Sequence, residues 1–236
     1  MPSWWFPPRP ASLSTRPPAF EDRVHAGRVL AEALRPRLRD WPEPAIVLGL
    51  PRGGVPVACE VARELGLPLD VMVVRKLGLP GQEELAMGAV ASGGVRVLNP
   101  EVLPWVDGRS LEAVTARELR RVEERERLFR GDLPPLDLQG RCAILVDDGL
   151  ATGATMRAAV QAVRALGAAR VVVAVPVGAE ESLSRLRGEA DAVVCPLVPL
   201  DFAAVGAWYE RFDQTEDDEV RAILAEERAP RPAEEA

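Results

Sequence analysis

Apolar residues in this chain fall into short runs, and segments of helical periodicity lie between them. The mostly apolar runs, each of strand length, cover residues 46–50, 69–74, 143–146, 171–175 and 192–195. Helical spacing follows Phe20 and Val55 and recurs at residues 110–130, 156–166, 180–187 and 217–227. Because strands and helices alternate with short connections, the pattern predicts an α/β fold with a parallel, doubly wound sheet. Residues 89–98 add a small predicted hairpin around Gly93 and Gly94.

The turn after the run 143–146 carries the clearest chemistry. Asp147 and Asp148 end the run, and the small-residue turn 149–155 leads into a helical pattern. Such a turn can direct backbone N–H groups and two hydroxyls at one point, at the positive end of the helix dipole. That arrangement suits a phosphate dianion. The simpler interpretation is an ordinary strand–turn–helix connection whose acids and threonines only cap the helix.

Two carboxylates beside a phosphate would repel it unless they engaged donors or cations of their own. The hydroxyl groups of a ribose are such donors, and a sugar 5-phosphate is the matching anion. Asp147 and Asp148 therefore favour a ligand that carries a phosphate at one end and hydroxyls nearby.

The string from residue 143 to 155, an apolar run followed by D-D-x-x-x-T-G-x-T, resembles the phosphoribosyl pyrophosphate (PRPP) signature of type I phosphoribosyltransferases. The resemblance implies that Asp147 and Asp148 hold the ribose hydroxyls. It implies a 5-phosphate site made of Ala151, Thr152, Gly153, Ala154 and Thr155. Two positions depart from the family pattern: Gly149 replaces a β-branched residue, and Ala151 replaces a common hydroxyl residue. Both changes keep the backbone amides that bind a phosphate.

An earlier turn follows the first strand. Pro51, Arg52, Gly53 and Gly54 lack the Gly-Lys-Ser/Thr ending of a Walker loop, but two glycines allow close backbone approach to an anion. The guanidinium of Arg52 adds a cationic fork. An ordinary turn is the alternative, yet the stretch resembles the pyrophosphate loop of the same family. That resemblance also implies a cis peptide bond between Pro51 and Arg52.

Arg75 and Lys76 end the second predicted strand, and the composition of residues 77–84 predicts a mobile loop. The stretch is similar to one in adenine phosphoribosyltransferases, where the following loop closes over the reaction. The resemblance implies that both cations act on the departing pyrophosphate. The alternative is a pair of solvated charges at a strand end.

Residues 196–214 form an aromatic-rich segment after the last strand, and such a segment resembles the hood that type I enzymes place over the acceptor. Phe202, Trp208 and Tyr209 are the candidates to stack on a planar base. In the alternative, the same rings pack the C-terminal lobe.

Composition limits the remaining choices. A formal net charge of −7 argues against nucleic-acid binding by bulk electrostatics, and no apolar stretch predicts a membrane span. Three cysteines far apart in sequence, with no C-x-x-C pair, favour reduced thiols and a cytoplasmic location. We expect an irregular arm at residues 1–19, a phosphoribosyltransferase-like domain at 20–214, and a helix and tail at 215–236. The charged helix 110–130 is the candidate contact of a homodimer.

The function that the resemblance implies is transfer of the 5-phosphoribosyl group of PRPP to a nitrogen nucleophile, a nucleobase, with release of pyrophosphate. Mg²⁺ is the implied cofactor, held mainly by ligand oxygens and water near Asp147 and Asp148 rather than by a dedicated protein site. One alternative is a non-catalytic sensor of PRPP or a nucleotide with the same fold. Another is a phosphohydrolase, although a nucleophilic Asp leaves the adjacent T-G-x-T unexplained.

Overall fold

The structure is a computed structural model, and it describes residues 18–39 and 41–229. Its helices are α1 (Arg23–Leu38), α2 (Gly54–Leu65), α3 (Gly108–Arg130), α4 (Ala154–Ala165), α5 (Glu180–Leu186) and α6 (Asp217–Arg228). Its strands are β1 (Ala45–Gly49), β2 (Leu69–Val71), β3 (Val74–Leu79), β4 (Gln82–Ala91), β5 (Val95–Leu98), β6 (Cys142–Val146), β7 (Arg170–Ala174) and β8 (Ala192–Val194).

Five parallel strands form the central sheet in the order β2-β1-β6-β7-β8. Strand residues alternate between its two faces, as the pleat requires. Val47, Ile144 and Val172 pack toward α1 and α2 on one face. Leu48, Leu145 and Val173 pack toward α4 and α5 on the other. Because helices cover both faces of a parallel sheet, the predicted doubly wound fold is confirmed.

A separate antiparallel sheet, in the order β3-β4-β5, corrects two sequence predictions. The predicted strand 69–74 is divided, because the chain leaves the central sheet after Val71 and begins β3 at Val74. Residues 77–84, which the sequence predicts to be a mobile loop, form a β3–β4 hairpin in which Leu79 is in register with Gln82; their mobility stays a prediction. The side chain of Leu77 is fully buried, and it anchors the hairpin in a core that includes Met87 and Val114. The predicted turn at Gly93 and Gly94 does join β4 to β5.

Helix α6 packs on the body of the domain through apolar and ionic contacts. Val220 and Leu224 are buried in the same core as the β3–β4 hairpin. Beneath α6, the Arg130 Nε and Nη2 atoms lie 3.1 Å from the two oxygens of Asp70, and Arg228 Nη2 lies 3.4 Å from Asp70 Oδ1. This ion cluster joins β2, α3 and α6.

The predicted arm and tail fall almost entirely outside the described residues, and the domain boundaries stay a prediction. Within residues 18–39 and 41–229, no helix is both long enough and apolar enough to cross a membrane.

The buried ion cluster generates a stability prediction. Replacing Arg130 with Ala leaves the buried Asp70 carboxylate with the Val71 N–H and, among the cations of the cluster, only the more distant Arg228, and this should cost about 3–5 kcal/mol of unfolding free energy. Arg127→Ala is the matched control, since Arg127 is an exposed residue on the same helix. Urea unfolding of both variants measures the difference. Equal, small losses would show that the cluster contributes little to the fold.

Candidate active site

The acidic pair leaves the C-terminal end of β6, the central strand, and lies beside the turn that follows β1. Strands β1 and β6 are parallel neighbours, with Gly49 in register with Val146, so their following turns meet at one edge of the sheet. The sequence-predicted pyrophosphate turn, with Arg52, Gly53 and Gly54, is thereby brought against Asp147 and Asp148. The Pro51–Arg52 peptide bond in this turn is cis.

The two turns approach so closely that only glycine fits between them. A Cβ atom on Gly53 would lie 2.0 Å from Asp148 Oδ2. A Cβ atom on Gly54 would lie 2.7 Å from the Val146 carbonyl oxygen and 3.0 Å from Asp147 Oδ1. The two glycines are therefore required by the acidic pair itself, in addition to any role they have toward an anion.

Arg23, at the start of α1, neutralises Asp148. Its Nε and Nη2 atoms each lie 2.9 Å from Asp148 Oδ2, and the two side chains are 13% and 17% exposed. Arg23 Nη1 also donates to the Asp213 carbonyl at 2.7 Å, and its guanidinium lies 4.0 Å from the centre of the Phe212 ring. One side chain thus ties the acidic pair to the hood segment 196–214.

Burial and crowding change the proton affinity of the pair. Burial raises the pKa of Asp147 well above its usual range, and the neighbouring Asp148 carboxylate raises that pKa further. Burial also raises the pKa of Asp148, against the opposing effect of Arg23. The ionised form of the pair is therefore poorly solvated, and a positive charge that develops close to it would stabilise that form and be stabilised by it.

The predicted phosphate turn reaches the surface beside this pair. Ala151, Thr152, Ala154 and Thr155 are exposed, while Gly153 adopts a left-handed conformation with φ 74° and precedes the first residue of α4. The N-cap residue of α4 is Gly153, which has no side chain to cap the helix, so the first backbone N–H groups of α4 lie at the positive end of the helix dipole without a cap from this residue. The turn and the acidic pair are adjacent parts of one edge of the sheet.

The three predicted cations occupy ion pairs or exposed positions. Arg52 Nη1 lies 3.4 Å from Glu216 and 3.7 Å from Asp217, at the start of α6. Arg75 Nε lies 3.1 Å from Glu118 on α3, a carboxylate that Arg117 and Arg121 also contact. Lys76 is exposed on β3, in register with Ala89.

The predicted base-stacking residues are placed differently from one another. Trp208 and Tyr209 are 1% and 5% exposed, and both pack with Phe20 in a small core beneath the hood. Neither ring presents a face to a ligand, so the packing alternative describes them and the stacking prediction is corrected. The Tyr209 hydroxyl instead donates to the Asp148 carbonyl oxygen at 2.6 Å. Phe202 is partly buried against the same core.

Two residues at this site escaped the sequence analysis. Arg23 meets Asp148 only through the fold, since the two residues are 125 apart in sequence. Phe212 is 36% exposed, and its ring lies against Arg23 and Tyr209. An arginine in the first turn of a charged helix carries no sequence signal of such a contact.

The hood also explains why the chain has a glycine after the acidic pair. A Cβ atom on Gly149 would lie 2.5 Å from Cγ1 and 2.8 Å from Cγ2 of Val205, a hood residue. The space that a β-branched residue would fill at position 149 is thus filled by Val205. A β-branched side chain at position 149 would therefore overlap Val205.

No group of three or more His, Cys, Asp or Glu side chains that could hold a metal ion is present within the described residues. The carboxylates of Asp147 and Asp148 are nevertheless of the oxygen-donor type that Mg²⁺ accepts. An ion carried by phosphate oxygens and water could use them as an outer contact.

A family profile described as the phosphoribosyl transferase domain matches residues 21–210. The chain belongs to the phosphoribosyl transferase family. The resemblance drawn from the signature is therefore confirmed, and with it the expectation of a transferase-class domain.

Similar proteins support the assignment. Proteins from two strains of Mycobacterium tuberculosis, both named "Putative phosphoribosyl transferase", are 50% identical over 207 residues, which is 87% of this chain and 46% of each relative. The chain spans about half the length of these curated relatives. A crystal structure of the protein TT1426 from Thermus thermophilus is 51% identical, with a TM-score of 0.81, over 88% of this chain and 98% of that one.

The contact between Gly149 and Val205 generates a pairwise prediction. Gly149→Ala alone should cost about 1–3 kcal/mol of unfolding free energy, because its Cβ overlaps the Val205 methyl groups. In a Val205→Ala background the nearest Val205 atom becomes Cβ, at 3.2 Å, so the same change should cost less. A double-mutant cycle by urea unfolding measures the coupling. Gly108→Ala is the control, since nothing lies within 4 Å of its added methyl group. If the effects of Gly149→Ala and Val205→Ala on the unfolding free energy simply add, the two side chains do not overlap.

The raised pKa of Asp147 generates a prediction on pH dependence. When a carboxyl group has a higher pKa in the folded than in the unfolded chain, the folded protein becomes less stable as the pH rises. The loss begins at the unfolded pKa, about 3.9, and is complete above the folded pKa. Asp147→Asn removes that loss, so the Tm of the variant at pH 7 should exceed that of the natural protein. The increase should be about 2–4 °C for each kcal/mol of unfolding free energy regained. The difference should disappear near pH 4. Thermal unfolding at both pH values tests this, and a constant difference would rule out titration as its cause.

Proposed function

We propose that this chain transfers the 5-phosphoribosyl group of PRPP to a nitrogen nucleophile, a nucleobase, with release of pyrophosphate. The observation that carries the proposal is the convergence of the acidic pair and two anion-type turns at the C-terminal edge of β1 and β6. The family assignment supports the same chemistry.

The shape of PRPP matches the order of these groups along the edge. The turn of Ala151, Thr152, Gly153, Ala154 and Thr155 holds the 5-phosphate through backbone amides and the helix dipole. Asp147 and Asp148 accept hydrogen bonds from the ribose hydroxyls. Arg52 and the amide of Gly53 hold the pyrophosphate on the opposite side of the acidic pair. The predicted contribution of the Gly54 amide is dropped, because the Gly54 N–H donates to the Leu50 carbonyl at 3.1 Å.

The reaction exchanges one bond at the anomeric carbon for another. The bond to pyrophosphate breaks with its electron pair leaving on oxygen, and the lone pair of the nitrogen forms the new bond. Positive charge grows on the ribose between these events, as in other oxocarbenium-like transition states. Asp147 and Asp148, poorly solvated and preorganised, stabilise that charge without reorganising. Asp147 and Asp148 would be nearby oxygen donors for a Mg²⁺ ion, which when bound would neutralise charge on the pyrophosphate.

Ligand binding has to exchange internal ion pairs for ligand contacts. Asp148 is occupied by Arg23, and Arg52 is occupied by Glu216 and Asp217. For Arg52 the exchange is charge-matched, since pyrophosphate replaces two carboxylates. For Asp148 the ribose hydroxyls replace the guanidinium only as hydrogen-bond donors. Arg75 would similarly leave Glu118 to join Lys76 on the departing pyrophosphate.

The acceptor enters from the side of the hood. Phe212 offers a partly exposed ring there, and Phe202 is the remaining predicted aromatic candidate. A cytoplasmic homodimer that binds PRPP and a small acceptor, and neither nucleic acid nor membrane, completes the proposal.

A non-catalytic sensor is the second candidate, and the ion pairs favour it. Because Arg52 contacts the start of α6, occupation of the pyrophosphate turn would disturb that helix, which is a way to report a bound ligand. A sensor needs binding and such a displacement, whereas an enzyme also needs turnover.

Pyrophosphate release decides between the two functions. With PRPP, Mg²⁺ and a panel of nucleobases, the natural protein should release pyrophosphate only when a suitable base is present. Asp148→Asn should lower turnover by about 10²-fold or more, because it removes charge from the acidic pair. Asp201→Asn, at an exposed hood position, is the control. Binding of PRPP without release for any base would favour the sensor, and full activity of Asp148→Asn would refute the role of the pair.

A further inference from the structure

The phosphate turn is held from behind by the connection between β7 and α5. The Leu150 N–H donates to the Val177 carbonyl at 2.9 Å, and the Ala179 N–H donates to the Leu150 carbonyl at 2.9 Å. One side chain completes the attachment. The Ser182 hydroxyl, on α5, donates to the Ala151 carbonyl oxygen at 2.5 Å.

These hydrogen bonds decide which way the peptide groups of the turn point. The carbonyl and the N–H of one trans peptide unit point in opposite directions. Anchoring the Leu150 carbonyl on Ala179 therefore turns the Ala151 N–H outward. Anchoring the Ala151 carbonyl on Ser182 turns the Thr152 N–H outward in the same way. Two successive amides of the turn are thus presented at the exposed surface.

Of the two anchors, only the second depends on a side chain. Ser182 is 6% exposed and lies beneath Gly153, with its Cβ 3.5 Å from the position of a Cβ on that glycine. A reversed Ala151–Thr152 peptide would aim a carbonyl oxygen, rather than an N–H, at a bound phosphate.

We propose that Ser182 is a positioning residue for the 5-phosphate site, acting through the Ala151 carbonyl to aim the Thr152 amide at the ligand. The proposal rests on the proposed function of the turn and adds a residue outside its signature. Its importance is increased by Ala151, because the turn lacks a hydroxyl at that position and relies more on its amides.

The test compares two serines of one helix. Ser182→Ala removes the bond to Ala151, while Ser184→Ala removes an exposed bond to Glu180 of 2.9 Å and is the matched control. Calorimetric titration uses ribose 5-phosphate and, separately, pyrophosphate with Mg²⁺. We expect Ser182→Ala to weaken ribose 5-phosphate binding by about tenfold, the equivalent of one hydrogen bond, and to leave pyrophosphate binding within about twofold.

Ser184→Ala should change neither affinity, and Ser182→Thr, which keeps the hydroxyl, should restore most of the lost affinity. Equal losses for both ligands would show general damage to the site and overturn the proposal, as would an unchanged affinity for ribose 5-phosphate. Failure of the transferase reaction is a separate result. Ribose 5-phosphate binding that depends on Ser182, without pyrophosphate release for any base, would support the role of Ser182 and refute the enzyme.

If ribose 5-phosphate does not bind to the natural protein, both the phosphate site and the role of Ser182 are overturned. The amide resonance of Thr152 gives a second readout. Its shift on ribose 5-phosphate addition should be lost in Ser182→Ala and kept in Ser184→Ala.

Discussion

The parallel pairing of β1 with β6 is the constraint on which the site depends. It brings two turns to one edge of the sheet at a separation that admits no side chain between them. Gly53 and Gly54 satisfy that restriction, and the acidic pair then lies against the backbone of the β1 turn. Helices on both faces fix the two strands, so the separation of the turns is a property of the buried core.

This arrangement places two carboxyl groups in a poorly solvated position, and the surrounding segments compensate for their negative charge. Arg23 from α1 supplies the compensating cation, and the Phe212 ring covers its guanidinium. The Tyr209 hydroxyl bonds to the backbone at Asp148, so the hood, α1 and the acidic pair form one connected unit. The contacts that hold the acidic pair in place are thus the same contacts that compensate its charge.

The sequence predicted those parts whose structure is local. The strand run, the acidic pair and the glycine-containing turn before α4 are consecutive in the chain, so their periodicity and composition specify them. The β3–β4 hairpin was missed because its stability comes from burial of Leu77 against α3, which composition does not report. Arg23 was missed because its contact with Asp148 exists only in the folded chain. The buried rings of Trp208 and Tyr209 show the same limit, since an aromatic residue has the same sequence signal whether it packs or binds.

The shared volume at Gly149 and Val205 has an evolutionary consequence. A relative that gains a side chain at the first position needs a smaller residue at the second, so the sizes of the two residues should vary inversely among members of this group. The order of change is also constrained, because shrinking the hood residue leaves only a small cavity, whereas enlarging the glycine first creates an overlap. The route from this sequence to the usual family signature therefore begins in the hood.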